Sequence, residues 1–153
     1  MRYEFFLPMK IPSVTHQEKK IAVRNGKPVV YEDARLKDAR QQFLGYLAMH
    51  KPKRMMAGPV WLHVSFFYAP DSKHKSGTFK TSKPDTDNLI KLFKDCMTAT
   101  GFWKDDAQVA SESVEKRYWH VPGILVIAED GIAEMKVEEM DPDREKEADE
   151  GGD

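Results

Sequence analysis

Residues 83–109 read KPDTDNLIKLFKDCMTATGFWKDDAQV, and this stretch carries most of the information in the chain. Its apolar side chains recur at the 3.6-residue period of a helix that buries one face, namely at Leu89, Leu92, Phe93, Cys96 and Met97. Gly101 follows in the position favoured for a C-terminal cap. The spacing predicts an amphipathic helix, with Asp87 as its N-terminal cap and Cys96 as core filling rather than a nucleophile.

Aspartates surround this predicted helix in larger number than capping requires. Asp85 and Asp87 lie two residues apart at its start, where an extended backbone directs alternate side chains to the same side. Asp105 and Asp106 follow the helix, and we expect an antiparallel return of the chain to bring them back toward its start. Carboxylates that converge repel one another unless a cation, or a lysine such as Lys91, compensates them. Because hard divalent cations bind such oxygen clusters, the sequence predicts a metal site.

The pattern K-P-D-x-D-N-L-x-K, followed after the helix by D-D-x-Q-V, resembles the RusA family of Holliday junction resolvases, which has many phage-encoded members. The matching residues are Lys83, Pro84, Asp85, Asp87, Asn88, Leu89, Lys91, Asp105, Asp106, Gln108 and Val109. The resemblance implies a homodimeric endodeoxyribonuclease that resolves four-way DNA junctions in recombination and repair. It also implies a catalytic set, which consists of Asp85, Asp87, Lys91 and Asp106.

This resemblance and the oxygen ligands together predict metal-assisted hydrolysis of a phosphodiester. We expect Asp85, Asp87 and Asp106 to hold Mg²⁺, for which Mn²⁺ can substitute, and no small-molecule cofactor. Lys91 is expected to stabilise the charge that develops on the phosphoryl or the leaving oxygen. Asp95 and Asp105 are expected to orient a ligand carboxylate or this lysine.

A polar stretch, DSKHKSGTFKTS at residues 71–82, precedes the aspartates. A charge run of this kind is usually a solvated loop. Its position beside a phosphate-cutting site favours a second reading, in which a mobile basic loop follows the DNA backbone. The lysines expected to contact DNA, including two that flank the aspartates, are Lys73, Lys75, Lys80, Lys83 and Lys104.

The net charge of −1 divides into two unlike parts. Residues 129–153 hold twelve acidic and three basic side chains, so the rest of the chain carries a net charge of +8. A basic body is what phosphate contact requires. We therefore expect one nuclease domain over residues 1–140 and an acidic, disordered tail over residues 141–153.

The rest of the chain predicts an α+β fold in which a small mixed β-sheet packs against two principal helices. Strands are expected at residues 2–7, 60–69, 109–119 and 123–128, a hairpin around Asn25-Gly26, and a first helix from residue 32 to about 50 that Pro52 ends. The strand at 60–69 is apolar on both faces, so we expect it to be covered on both sides at the sheet centre. His63 within it is expected to be a structural histidine with satisfied hydrogen bonds.

Composition excludes several classes of protein. The single cysteine excludes an internal disulfide, and neither a secretory signal nor a membrane span is evident, so we expect a location in the cytosol of a bacterial host. Two other functions stay open. One is a DNA-binding module without catalysis, and the other is a metal-dependent phosphoesterase that acts on a small nucleotide.

Overall fold

A computed structural model describes residues 1–13 and 19–132 of the chain. Its elements in chain order are β1 (Arg2–Pro8), β2 (Lys19–Arg24), β3 (Lys27–Glu32), α1 (Ala34–Ala48), β4 (Val60–Tyr68), α2 (Thr86–Thr100), a 3₁₀ turn (Asp106–Gln108), β5 (Val109–Tyr118) and β6 (Gly123–Asp130). No helix in these ranges is long and apolar enough to cross a membrane. The predicted tail and the predicted domain boundary at residue 140 lie outside the described residues.

Four strands form one mixed sheet in the order β1-β6-β4-β5. Strands β4 and β5 are parallel, whereas β6 pairs antiparallel with both β4 and β1. A parallel pair needs a crossover connection, and α2 supplies it between β4 and β5. The mixed sheet and two helices confirm the predicted α+β class.

The predicted hairpin forms a separate two-stranded sheet from β2 and β3. Its turn residues Asn25 and Gly26 have φ angles of 51° and 74°. Positive φ at both central positions is the geometry that matches the twist of two antiparallel strands, which is why Asn-Gly predicts this turn well.

The hydrophobic core lies between one face of the mixed sheet and the two helices. Phe93 of α2 meets Phe43 of α1 edge-on at 5.3 Å between ring centroids, and meets Phe66 of β4 in the same way at 5.8 Å. All three rings are buried, as is Cys96. The assignment of Cys96 to the core is therefore confirmed.

Strand β4 is central, but the expectation that both its faces are covered is wrong. Leu62 and Phe66 point into the core, whereas Trp61 and Phe67 on the other face stay half-exposed. Polar neighbours make that face compatible with water. His63 in particular is hydrogen-bonded to Ser113 through Nδ1 at 3.0 Å and to Ser65 through Nε2 at 2.9 Å, which confirms it as a satisfied structural histidine.

The helix ends differ from prediction in two places. Helix α1 ends at Ala48, because the N–H of Met49 closes the last turn on Tyr46, and Pro52 comes too late to be its terminator. Helix α2 begins with Asp85 as its N-cap residue, and Asp87 lies inside the first turn. The predicted C-cap is confirmed, since Gly101 adopts the left-handed conformation with φ 97°.

Candidate active site

Asp85 and Asp87 lie together in sequence at the exposed N-terminus of α2. Although Asp85 is the N-cap residue, its side chain accepts no capping hydrogen bond from the helix. A helix N-terminus carries partial positive charge, which favours anionic groups there. These two carboxylates are therefore exposed, held at a fixed element end and not used in the packing of the fold.

Lys91 and Asp95 continue the polar face of the same helix. Lys91 is exposed, and its Nζ lies 3.9 Å from Oδ1 of Asp95 one turn further on. An ion pair at this spacing on a helix surface contributes only about 0.3–0.5 kcal/mol to stability. Its more useful effect is to limit the positions that the lysine side chain can take.

Lys116 of β5, which was not singled out from the sequence, contacts the backbone just ahead of Asp85. Its Nζ donates to the carbonyl oxygens of Ser82 and Pro84, at 2.8 Å each, and so holds the turn that leads into Asp85. Burial lowers the pKa of Lys116, nearby Lys80 lowers it further, and the negative charge of Asp85 acts in the opposite direction. Strand alternation was the available signal, because Lys116 shares the core-facing side of β5 with Val114.

Asp105 and Asp106 lie in the 3₁₀ turn beyond the other end of α2. Oδ1 of Asp105 accepts the N–H of Ala107 at 2.9 Å, and Oε1 of Gln108 accepts the N–H of Asp105 at 3.2 Å. This reciprocal pair is a capping box. Asp105 is thus occupied in fixing the turn, whereas the half-buried carboxylate of Asp106 makes no hydrogen bond or ion pair to any described residue.

The structure does not bring Asp106 to Asp85 and Asp87 within one chain. Helix α2 has 15 residues and is therefore about 22 Å long, with the two groups at its opposite ends. Helix α2 runs alongside β5 in the opposite direction, as the 2.9 Å ion pair between Lys94 and Glu112 shows. Strand β5 makes the return toward the start of α2, and it begins only after Asp106. No three metal-ligating side chains cluster within residues 1–13 and 19–132.

The stretch at residues 71–82 is attached to β5 rather than mobile along its whole length. The N–H of Gly77 donates to the carbonyl of Tyr118 at 2.6 Å, the N–H of Tyr118 donates to Thr78 at 2.9 Å, and the N–H of Lys80 donates to Lys116 at 2.9 Å. Since β5 is an edge strand, its unpaired backbone groups are available for such an addition. Part of the segment expected to be a loop is therefore an addition to the edge of the sheet.

The lysines expected to contact DNA do not share one surface. Lys73, Lys75 and Lys83 are exposed on the side of the molecule where α2 begins. The ammonium of Lys80 points inward instead, and it lies 4.9 Å from the ring centroid of Tyr68. Lys104 is exposed beside Asp105, at the far end of α2.

Comparisons with known proteins agree with the motif. Residues 10–129 match the family model described as "Endodeoxyribonuclease RusA". A protein of Lactococcus phage r1t named "Crossover junction endodeoxyribonuclease rusA" is 34% identical over 111 residues, which are 71% of this chain and 83% of that protein. A protein of Bacillus subtilis (strain 168) named "Uncharacterized protein YqaN" is 31% identical over 118 residues, which are 69% of this chain and 82% of that protein.

Proposed function

The chain belongs to the RusA family of endodeoxyribonucleases, and from that premise we propose that it resolves four-way DNA junctions by paired, metal-dependent hydrolysis of phosphodiesters. Its biological role would be DNA recombination and repair in the cytosol of a bacterial host. The observation that carries the proposal is the set of three carboxylates that the fold leaves unused. Asp85, Asp87 and Asp106 make no side-chain hydrogen bond to another described residue.

These donors fit a hard divalent cation. Carboxylate oxygens are the ligands that Mg²⁺ prefers, and Mn²⁺ accepts the same set. Asp85 and Asp87 are exposed, and Asp106 is half-exposed, so each can change its rotamer without breaking the core. When bound, Mg²⁺ supplies positive charge at the scissile phosphate and lowers the pKa of a water for the attack.

The chain's own residues would position the DNA strand and stabilise the charge that develops on it. Lys91 extends from the exposed face of α2 one turn beyond Asp87, and its ammonium would neutralise a phosphoryl or leaving oxygen. Asp95 would orient that ammonium, in keeping with their 3.9 Å separation. Lys116 would keep the backbone ahead of Asp85 in place through its bonds to Ser82 and Pro84.

A metal site that uses all three aspartates requires a second copy of the chain. Asp85 and Asp87 are separated from Asp106 by the length of α2, about 22 Å, whereas cation ligands lie within about 2.5 Å of the ion. We propose a two-fold dimer in which Asp106 of each copy completes the site that the other copy begins. Two sites related by a two-fold axis also match the symmetry of a four-way junction and produce two symmetric nicks.

The proposed DNA-binding surface is basic. Residues 1–128 carry a net charge of +8, and the exposed lysines Lys73, Lys75 and Lys83 lie on the side where α2 begins. Lys104 lies beside Asp106 and would come to the same DNA strand through the dimer. Such contacts fix position without reading sequence, which suits an enzyme that recognises the shape of a junction.

The two rival functions differ in what they require. A DNA-binding module without catalysis has no use for unpaired carboxylates, because they repel phosphate when no cation is present. A phosphoesterase for small nucleotides does not need a basic surface that follows a polymer. Both rivals predict different products, so a single assay separates them.

The test incubates the purified protein and Mg²⁺ with a synthetic four-way junction, a linear duplex of the same sequence, and a nucleotide. We expect paired nicks in the junction alone, and no nicks when Asp87→Asn replaces the wild-type protein. Binding without nicking by the wild-type protein would favour the non-catalytic module. Release of phosphate from the nucleotide would favour the phosphoesterase.

Mixing two inactive variants tests the shared site. In a dimer of Asp87→Asn with Asp106→Asn, one site receives both substitutions and the other receives neither. We therefore expect an equal mixture to recover single nicks in the junction, all of them made by the mixed dimers that form about half of the dimers, while each variant alone stays inactive. If both variants form dimers and the mixture is as inactive as its components, the three aspartates do not meet across the two-fold axis.

A further inference from the structure

A cavity of about 790 Å³ opens where the parallel strands β4 and β5 end. In open sheets with parallel strands, the carboxyl ends of the strands are the usual place for a ligand. The volume lies in the range of pockets that enclose a whole small molecule. Its walls include Met9, Ile11, Phe67, Tyr68, Lys80 and Tyr118.

The walls combine aromatic faces with two lysines, Lys10 and Lys80, of which Lys80 lies over the rings. The Nζ of Lys80 lies 4.9 Å from the ring centroid of Tyr68 and 5.6 Å from that of Tyr118. His74 stacks on Tyr118 with centroids 4.5 Å apart and ring planes 10° from parallel. Flat aromatic walls and a hydrogen-bond donor are what a planar, heteroatom-bearing ring system requires.

The hydroxyl of Tyr68 adds a second signal. It is buried, and it has no hydrogen-bond partner within the described part of the chain. Burial raises the pKa of this phenol, and Tyr118 raises it further, so the group stays a neutral hydroxyl at physiological pH. Because an unsatisfied buried hydroxyl is unfavourable, a small movement of the Tyr68 side chain that brings its hydroxyl to a ligand atom would gain a hydrogen bond.

This cavity is directly connected to the start of the candidate active site. The Nζ of Lys80 donates to Oγ of Ser82 at 2.6 Å, and Ser82 itself lines the cavity. Ser82 lies three residues before Asp85, so the Cα atoms of these two residues are at most about 11 Å apart. A strand held at Asp85 would therefore pass the mouth of the cavity.

We propose that this cavity receives one nucleobase, unstacked from the DNA strand next to the scissile phosphate. The inference rests on the proposed function, because it takes the substrate to be a branched DNA. Nucleotides at a branch point lose stacking partners, so turning one base outward is less costly there than in a duplex. A bare phosphate fits less well, since the walls are largely apolar and Asp71 lies among them together with Lys10 and Lys80.

The cavity then selects which junction sequences are cut. Lys80 can donate to a ring nitrogen or carbonyl on the edge of a base, so bases that present acceptors there bind best. Stacking on Tyr68, or on the His74 ring that already covers Tyr118, is independent of base identity and holds any base. Branched shape would decide where the enzyme binds, and the enclosed base would decide where it cuts.

The first experiment blocks the cavity and removes the base. Ala69 lies at the cavity wall and is exposed, so Ala69→Trp fills the mouth, while Ala48→Trp at the exposed end of α1 is the matched control. The substrates are junctions with an abasic nucleotide at each position around the cut. For wild type and Ala48→Trp we expect one position at which base loss slows cutting by about tenfold. For Ala69→Trp we expect slower cutting of intact junctions, and no additional decrease in the cutting rate when the nucleotide at that position is abasic.

The second experiment detects the base itself. 2-Aminopurine replaces each nucleotide around the cut in turn, and its fluorescence is followed as protein is added without divalent ions. We expect a change at the same position that the abasic series identifies, abolished in Ala69→Trp and altered in Tyr68→Phe. If wild type cuts junctions and no position responds in either series, the cavity proposal is wrong while the nuclease function stands. If wild type cuts no junction at all, the proposed function itself fails.

Discussion

The two ends of the β4–β5 pair are built in opposite ways. At the amino end, Trp103 is fully buried, its Nε1 donates to Oγ1 of Thr98 at 2.7 Å, and Gln108 donates to the carbonyls of Met56 and Gly58. At the carboxyl end lie exposed carboxylates, a cavity and an unpaired hydroxyl.

The amino end therefore contributes mainly to the stability of the fold, whereas the carboxyl end presents the groups that can interact with a ligand. Side chains at the amino end have satisfied their polar groups against one another, so they stabilise the chain and have little left to offer a ligand. Carboxylates at the carboxyl end are positioned by the same helix, α2, but make no hydrogen bonds that stabilise the fold. Asp106 is the exception, because it lies at the packed end with a carboxylate that no described residue uses.

The largest expected effect concerns chemistry at the carboxyl end. Asp87→Asn removes a negatively charged oxygen ligand and should lower the rate of junction cutting by about 10³-fold or more, which corresponds to about 4 kcal/mol of transition-state stabilisation. The free energy of unfolding should change by less than about 0.5 kcal/mol, because the side chain is exposed. Cutting rates and chemical denaturation of the same preparations measure both quantities.

The matched control is Asp38→Asn, which removes an exposed carboxylate of α1 that accepts a hydrogen bond from Gln42. It should leave cutting unchanged. A comparable loss of cutting in both variants would mean that net charge, rather than a ligand position, is responsible.

The next largest effect concerns stability rather than activity, and it is expected at the packed amino end. Trp103→Phe leaves a cavity and deprives Oγ1 of Thr98 of its donor, so the free energy of unfolding should fall by about 2–3 kcal/mol. Trp119→Phe at an exposed position should cost less than about 0.5 kcal/mol. Urea unfolding of the two variants measures the difference, and equal losses would contradict the contrast between the two ends.

A smaller effect concerns the contacts by which Lys116 holds the backbone before Asp85. Lys116→Met keeps the aliphatic stem but removes the ammonium that binds the carbonyls of Ser82 and Pro84. Cutting at low Mg²⁺ should fall by about tenfold, an effect of about 1.4 kcal/mol, because the backbone before Asp85 is less well positioned. Excess Mg²⁺ should restore part of the rate. A loss that is independent of Mg²⁺ concentration would argue against this positioning role.

The smallest effect is a pH dependence at the packed end. Asp130 accepts the N–H of Ala57 at 3.1 Å and lies 3.1 Å from the N-terminal ammonium, and these partners hold the pKa of its carboxyl below the usual 3.8. A lowered pKa means that the stabilisation is present above about pH 4 and is lost as the pH falls through the folded-state value. Asp130→Asn should therefore reduce stability by about 1 kcal/mol at pH 7, and by less at pH 3, as the pH approaches the lowered pKa of the folded state.

Thermal or urea unfolding of wild type and Asp130→Asn at several pH values tests this sign. A stability difference that grows as the pH is lowered from 7 to 3 would contradict it. Junction cutting at neutral pH should be unaffected, because this carboxylate belongs to the packed end of the sheet.

Local patterns in the sequence predicted most of the elements. The apolar stripe of α2, the Asn-Gly turn and the Gly101 cap each depend on a few neighbouring residues, and each is confirmed. The predictions failed where contacts between residues distant in the sequence determine the structure. Strand β4 looked buried on both faces, but the Ser65 and His63 bonds to β5 make its second face compatible with solvent.

The candidate site, too, was predicted from the sequence only in part. Alternation brought Asp85 and Asp87 together as candidates, and the resemblance to the family motif added Lys91 and Asp106, because the motif's residue types and intervals are visible in the chain. Spacing did not reveal that Asp105 caps its own turn or that Lys116 binds the backbone before Asp85. Those contacts form between groups that only the folded chain brings together.

By itself, the sequence determined the helices, the turns, the family resemblance and the candidate aspartates, since these follow from short-range periodicity, motif spacing and residue chemistry. The tertiary structure alone decided that β4 and β5 are parallel, because strand direction depends on pairing between residues that are about 50 positions apart. That parallel pairing places α2 between two groups of carboxylates and opens a cavity at one end of the strands. The distance between these two groups, which no interval in the sequence encodes, is the reason why the metal site that we propose needs a second copy of the chain.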